Sequence, residues 1–148
     1  MSELKIRAIA AKDEAEWRRL WTGYLEFYET SVPEEVYATA FTRLLSDDDQ
    51  EFCGLIATLD EKPVGLTHYL FHRHMWKIEN TCYLQDLYAD PDARGKGIGR
   101  ALIEAVYSAA DAAKAPAVYW LTQEYNYTGR MLYDRIGTKT PFIRYNRR

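Results

Sequence analysis

"DARGKGIGRAL", residues 92–102, places three of the chain's eight glycines at alternate positions, Gly95, Gly97 and Gly99, directly ahead of a helical pattern. Ile98, Leu102, Ala105, Val106 and Ala109 recur at helical spacing to about Lys114. "TCYLQDLYADP" (Thr81–Pro91) reads as the preceding strand, ended by Pro91. A helical glycine costs about 0.5–1 kcal/mol relative to alanine, so three together call for a reason. One reason is a tight turn after Pro91. The other is close approach of an anion: first-turn N–H groups are unpaired, and the helix dipole favours negative charge there. Without Cβ atoms a diphosphate can rest on those amides, with Arg94 and Lys96 or Arg100 adding charge. Two other phosphate loops do not fit. A Walker A loop needs Ser or Thr after Gly-Lys, but Gly97 follows Lys96; the dinucleotide fingerprint is G-x-G-x-x-G, whereas these glycines run G-x-G-x-G.

Working outward, "LKIRAI" (Leu4–Ile9) alternates as a strand. Asp13 is placed to cap the next helix, whose apolar stripe holds Trp17, Leu20, Trp21, Tyr24, Leu25 and Tyr28. Pro33 opens a second helix, with Val36, Ala40, Phe41, Leu44 and Leu45 on its buried side. Ser46–Glu51 is a polar loop. Phe52–Leu59 and Val64–His72 flank "DEKP" as a hairpin. Pro116–Gln123 is a buried-type strand, Asn126–Gly137 a short helix stopped by glycine, and Thr140–Asn146 a closing strand. The order β-α-α-β-β-β-α-β-α-β predicts a mixed α/β fold in a single domain, 1–148, with helices on both sheet faces.

Composition narrows the class. With 148 residues, 47% hydrophobic and 28% charged, the chain supports one packed core and argues against disorder. No apolar run reaches the roughly 18 residues of a membrane span. The start "MSELKIRAIAAKDEAEW" lacks an apolar leader core, so a cytoplasmic protein is expected. Net charge −3 gives no general pull toward nucleic acid; the basic end "RYNRR" is a short solvated tail. Cys53 and Cys82 make neither a disulfide framework nor a zinc motif.

Arg94-Gly-Lys-Gly97-Ile-Gly99, after a strand and opening a helix, resembles the acetyl-CoA pyrophosphate signature of the GNAT N-acetyltransferases, Arg/Gln-x-x-Gly-x-Gly/Ala. Asn126-Tyr-Thr-Gly-Arg-Met-Leu-Tyr133-Asp-Arg-Ile-Gly137 is similar to that family's Asn-x-x-Ala-x-x-Phe/Leu-Tyr-x-x-x-Gly segment. The phrases "YLQDLYADPDARGKGIG", "VYWLTQEYN" and "WTGYLEFYE" look like the polyamine and histone acetyltransferase branch. The resemblance implies a three-layer fold with a mostly antiparallel, twisted sheet of six or seven strands. It implies acetyl-CoA as co-substrate and direct attack by an amine in a ternary complex.

Residue by residue, the resemblance assigns Leu87, Tyr88 and Ala89 to the strand pairing with the pantetheine arm, whose amides steady the thioester oxygen. Arg94, Gly95, Lys96, Gly97, Ile98, Gly99 and Arg100 match the pyrophosphate loop. Asn126 matches a cofactor contact. Tyr133 matches the general acid that protonates the leaving thiolate, a free thiol having a pKa of about 8.5 and a phenol about 10. Many relatives carry a glutamate base where Gln85 stands, and glutamine cannot take a proton. Asp86 is adjacent, although a regular strand points it to the opposite face. Glu26, Glu29 or Glu124 acting through water, or bulk water alone, are the other routes to a neutral amine. Tyr24, Glu26, Phe27, Tyr28, Gln85 and Asp86 are the expected acceptor-site residues, aromatic faces and carboxylates suiting a cationic amine.

His72 and His74 share a strand face but lack a third ligand of convincing spacing, so no metal is expected. Asp47–Asp49 reads as a solvated loop. The expected activity is acetyl transfer to a small primary amine: a polyamine, an amino acid or a lysine-like side chain. The alternative is a non-catalytic acyl-CoA-binding sensor, which Gln85 would suit. A longer acyl group is open, with Tyr88 and Tyr119 favouring acetyl. The aromatic final strand offers a surface for homodimer pairing.

Overall fold

The computed structural model describes residues 2–148. Five strands form one sheet in the order β1 (Leu4–Ala8), β2 (Cys53–Leu59), β3 (Lys62–His72), β4 (Thr81–Ala89) and β5 (Val118–Tyr119). β1 to β4 are antiparallel; β5 runs parallel to β4. A parallel pair needs a crossover, which α3 (Ile98–Ala112) supplies. α1 (Glu14–Phe27) and α2 (Glu34–Leu44) cover one face, while α3 and α4 (Tyr127–Ile136) cover the other. The fold is thus the expected mixed α/β arrangement with helices on both faces.

The sheet has five strands rather than six or seven. Thr140–Asn146 is not a strand: nothing among the described residues pairs with it, and Phe142, Ile143 and Tyr145 are 81%, 77% and 87% exposed. Its would-be neighbour, the expected Pro116–Gln123 strand, shrinks to Val118–Tyr119 and pairs at only two positions. A strand exists only where an edge is offered to it, and this edge is too short.

The β2–β3 turn is tighter than "DEKP" suggests. Asp60 and Glu61 take φ of 51° and 72°, the two left-handed residues of a two-residue hairpin loop, and Lys62 already pairs with Leu59. Pro63 pairs with Thr58 beside a register shift, where a missing N–H is tolerated. Asp13 stands at the N-cap of α1 but bonds elsewhere. Its carboxylate accepts the Ala10 N–H (2.8 Å) and both arms of the Arg7 guanidinium (2.7 and 2.9 Å). Arg7 holds the carboxyl below its usual range.

Two core regions sandwich the sheet. Trp17, Leu20 and Phe41 pack on Ile56 and Leu66; Ile103 and Val106 pack on Cys82 and Leu84. Each fully buried Leu or Ile contributes about 1.5–3 kcal/mol. Gly65 lets α3 start close to the sheet, since a Cβ there would lie 2.8 Å from Ile98 and 2.9 Å from the Tyr88 carbonyl.

The feature that shapes the site is a bulge in β4. His68 pairs with Asp86, but Tyr69 pairs with Leu84, so Gln85 is the extra residue. The face alternation therefore reverses. Cys82, Leu84 and Leu87 join the α3 core, while Asp86 and Tyr88 turn toward α1. Thr67 Oγ1 donates to the Asp86 carbonyl at 2.8 Å and pins the bulge.

Candidate active site

β4 and β5 pair at Cys82–Val118 and Tyr83–Tyr119, and then part. From Leu84 onward, one edge of β4 carries no strand partner. Leu87, Tyr88 and Ala89 lie on this stretch, their other edge pairing with Thr67, Leu66 and Gly65. The chain passes a 3-10 turn, Pro91–Ala93, and enters the glycine loop. Gly95 and Gly97 have φ of 79° and 73°. Gly97 is the N-cap of α3 and no side chain caps it. The first helical bond runs from Ala101 N–H to the Gly97 carbonyl (3.0 Å), so the amides of Ile98, Gly99 and Arg100 have no intrahelical partner. A Cβ on Gly95 or Gly97 would meet nothing within 4 Å, and one on Gly99 would meet Leu132 at an ordinary 3.4 Å. Contact with the rest of the protein therefore does not explain the glycines. Arg94 and Lys96 are exposed; Arg100 pairs with Glu104 at 2.7 Å. An open strand edge leading to an uncapped helix start fits a pantetheine arm ending in a diphosphate.

At the other end of β4, α4 brings Tyr133 against Trp120, ring centroids 5.6 Å apart. Burial, helped by the neighbouring Tyr28 hydroxyl, pushes the Tyr133 phenol up to about 12. Asn126 caps α4: its Oδ1 accepts from Gly129 N–H (3.2 Å) and its Nδ2 donates to Thr122 Oγ1 (2.9 Å). Thr122 in turn faces the Tyr28 hydroxyl. The Tyr24 and Tyr28 rings meet at a tilt of 58°, centroids 5.1 Å apart.

Behind these phenols lies a buried carboxylate. Asp86 Oδ2 accepts from Trp21 Nε1 at 3.3 Å and lies 2.8 Å from His68 Nδ1. Trp17 Nε1 donates to His68 Nε2 at 2.8 Å. Burial and the Asp86 charge drive the Tyr24 phenol well above its usual range, so its hydroxyl remains protonated. The same charge acts in the same direction on Tyr28 and Tyr83, after the larger effect of burial. Tyr24, Tyr28, Tyr83 and Asp86 therefore share one site; Tyr28 also lines a cleft of about 370 Å³ with Phe27, Glu29, Tyr125 and Asn126.

The expected acceptor residues divide. Tyr24, Tyr28 and Asp86 converge; Phe27 borders the cleft; Glu26 is exposed and acts on the Tyr88 phenol through its charge alone. Gln85 is exposed, with no side-chain hydrogen bond. Glu124 is exposed, and Asp47–Asp49 are solvated. His72 bonds Tyr119 at 2.8 Å on the β5 edge, lining a separate cleft with His74. Among the described residues no three His, Cys, Asp or Glu side chains converge, and no helix is long and apolar enough to cross a membrane. Sequence reading missed His68 and the donor roles of Trp17 and Trp21. The available signal was a histidine between apolar residues in "GLTHYLF", a position that is buried and therefore needs a partner.

Residues 16–138 match the acetyltransferase (GNAT) family, and the chain belongs to it. It is an N-acetyltransferase whose co-substrate is acetyl-CoA, which sets the sensor alternative aside. The D-amino-acid N-acetyltransferase HPA3 of Saccharomyces cerevisiae is 42% identical over 144 residues, covering 96% of this chain and 89% of that one. The fold is shared with the aminoglycoside N-acetyltransferase AAC(6')-Iy in complex with CoA: TM-score 0.84, 18% identity, 100% of this chain and 96% of the other. A ribosomal-protein-alanine N-acetyltransferase from Brucella melitensis biovar Abortus 2308 superposes with TM-score 0.81 at 20% identity, over 99% of each chain.

Proposed function

We propose that the enzyme transfers acetyl directly to the primary amine of a small molecule in a ternary complex, with free amino acids the leading acceptors ahead of polyamines and lysine-like side chains. The observation that carries this is Asp86. Among the described residues two carboxylates are buried, Asp13 and Asp86. Asp13 has Arg7; Asp86 has no Lys or Arg. A buried charge without a cation is unfavourable unless something cationic arrives, and an acceptor ammonium is such a group. The yeast relative named for D-amino acids supports the choice within this class.

Acetyl-CoA supplies the activated acyl group. The free edge at Leu87, Tyr88 and Ala89 aligns the pantetheine arm, and its amides stabilise charge growing on the acyl oxygen. The amides and cations from Arg94 through Gly95, Lys96, Gly97, Ile98 and Gly99 to Arg100 hold the diphosphate. Asn126 orders the start of α4 beside the thioester. Asp86, with Tyr24 and Tyr28, receives the amine, whose proton passes to water through the cleft lined by Phe27, Tyr28 and Glu29. Tyr133 protonates the departing sulfur. The burial that lifts its phenol lifts a thiolate in the same pocket too, which keeps donor and acceptor matched.

A thiol-release assay against D- and L-amino acids, polyamines and lysine peptides tests this. Turnover with amino acids is expected; turnover confined to polyamines or peptides would overturn the acceptor class. Free thiols at Cys53 and Cys82, both raised by burial, support action in a reducing, cytoplasmic compartment. The enzyme further acts as a homodimer, a reading supported by the exposed apolar side chains of its C-terminal segment.

A further inference from the structure

An indole N–H can donate a hydrogen bond but not accept one. Trp17, fully buried, aims that N–H at His68 Nε2 from 2.8 Å. Nε2 must then present its lone pair, so the ring is neutral and its single proton sits on Nδ1. That proton points at Asp86 Oδ2, 2.8 Å away. His68 and Asp86 are 5% and 7% exposed, and Trp17 is further fixed by stacking on Trp21 (5.1 Å) and by Phe41 (5.1 Å). Both ring N–H donors to Asp86 use Oδ2, and the Tyr24 hydroxyl meets the same carboxylate. A charged His68 would neutralise Asp86 and remove its need for a ligand. Trp17 blocks that, because a proton on Nε2 would face the indole N–H.

We infer that His68 is the positioning residue of the acceptor site: Trp17 locks it in the Nδ1–H tautomer, and it holds Asp86 as a single, uncompensated negative charge that selects a cationic amine. This rests on the reading of Asp86 as the acceptor's counter-ion. The titratable groups facing the cluster are Tyr24 and Tyr28 of α1, Tyr37 of α2 against Trp21, Tyr83 of β4 and, beyond Tyr28, Tyr133 of α4. A cation does act on this group of side chains, Arg144, whose charge reaches Tyr83; among the described residues no Lys or Arg bonds Asp86 itself.

The chain has three histidines, so nitrogen-resolved NMR of their rings is tractable. One neutral ring with its proton on Nδ1 is expected, and its signal should vanish in His68→Asn. A His68 ring protonated on Nε2, or on both nitrogens near neutral pH, overturns the lock. In steady-state kinetics His68→Leu should raise the amine KM by about tenfold or more, as for loss of one hydrogen bond to a charged group, and leave the acetyl-CoA KM unchanged. The unchanged acetyl-CoA KM also reports that the variant folds. His68→Asn, whose amide stands where Nδ1 stood, should recover most of the loss. Trp17→Phe frees Nε2 to take a proton, so its amine KM should climb as pH falls, more steeply than in the wild type. An amine KM in His68→Leu equal to wild type, or no recovery in His68→Asn, would reduce His68 to a space-filling role. Asp86→Asn separates the two readings. If it leaves the amine KM unchanged, the counter-ion reading fails; if it raises that KM while His68→Leu does not, the positioning role alone fails.

Discussion

Tyr133 is a buried phenol whose proton is held to about pH 12, chiefly by desolvation and secondarily by Tyr28. The sign of this shift matters for catalysis. The useful form of a general acid is the protonated one, and an ordinary phenol loses that form near pH 10. Here it persists through the whole working range, so no alkaline fall in kcat below about pH 11 should originate at Tyr133. Tyr133→Phe keeps the ring and its packing on Trp120. It should lower kcat by about 10²-fold or more and leave the acetyl-CoA KM close to wild type, as read by thiol release across pH. A kcat equal to wild type at every pH would assign the proton to water instead. Asp86 is buried in a different setting, where two ring N–H groups, Trp21 Nε1 and His68 Nδ1, converge on one carboxylate oxygen.

At the scale of elements, the start of α3 asks why Gly99 is glycine. Gly97 needs its left-handed φ, but Gly99 has none and has room for a Cβ against Leu132. Gly99→Ala should therefore stabilise the fold by about 0.5–1 kcal/mol, seen as a raised melting temperature, because alanine suits a helix better. The same methyl would intrude on a diphosphate at the first-turn amides, so acetyl-CoA affinity should drop in calorimetry. A variant that gains stability and binds acetyl-CoA as before would remove the ligand explanation for this glycine. At the other end of the sheet, Asp13 ties β1 to α1 through Arg7 and the Ala10 amide. Asp13→Ala leaves both donors without their acceptor and should cost about 2–3 kcal/mol in denaturant unfolding. A loss under half a kilocalorie would mean that water replaces the carboxylate there. These cases also show what a sequence can reveal. The glycine loop and α4 were legible because their signals are local: spacing, capping and a nearby strand. The acceptor site was only half legible. Asp86 faces α1 because β4 bulges at Gln85, and that bulge is set by pairing with β3 residues some seventeen positions away. His68 and Trp17, 51 residues apart, meet only through the fold. The final strand failed for the same reason, since a strand's partner lies outside its own sequence.

For the whole molecule, surface area bears on assembly. The chain exposes 10299 Å², whereas a compact monomer of 17.3 kDa exposes about 7,800 Å². The most exposed large apolar side chains lie in two places. One is the β3–β4 connection, where Met75, Trp76 and Ile78 are 97%, 86% and 93% exposed; the other is the C-terminal segment with Phe142, Ile143 and Tyr145. A single apolar side chain on a surface needs no explanation, but clusters of large ones do. Among the described residues the outer edge of β5 pairs with no strand, and a cleft of about 390 Å³ is lined by His72, Val118 and Tyr119. A stable protein interface buries about 1,200–2,000 Å² in total, less than the excess seen here. A second copy of the chain, offering the same exposed segments, can supply that cover. Sedimentation velocity should accordingly return about twice the mass of the chain. Replacing Phe142, Ile143 and Tyr145 together by serine should shift the boundary to the monomer, and should leave the helical circular dichroism intact because none of the three belongs to a helix or strand. A wild-type boundary at the monomer mass at every concentration tested would show that these side chains stay in water, and would remove the homodimer.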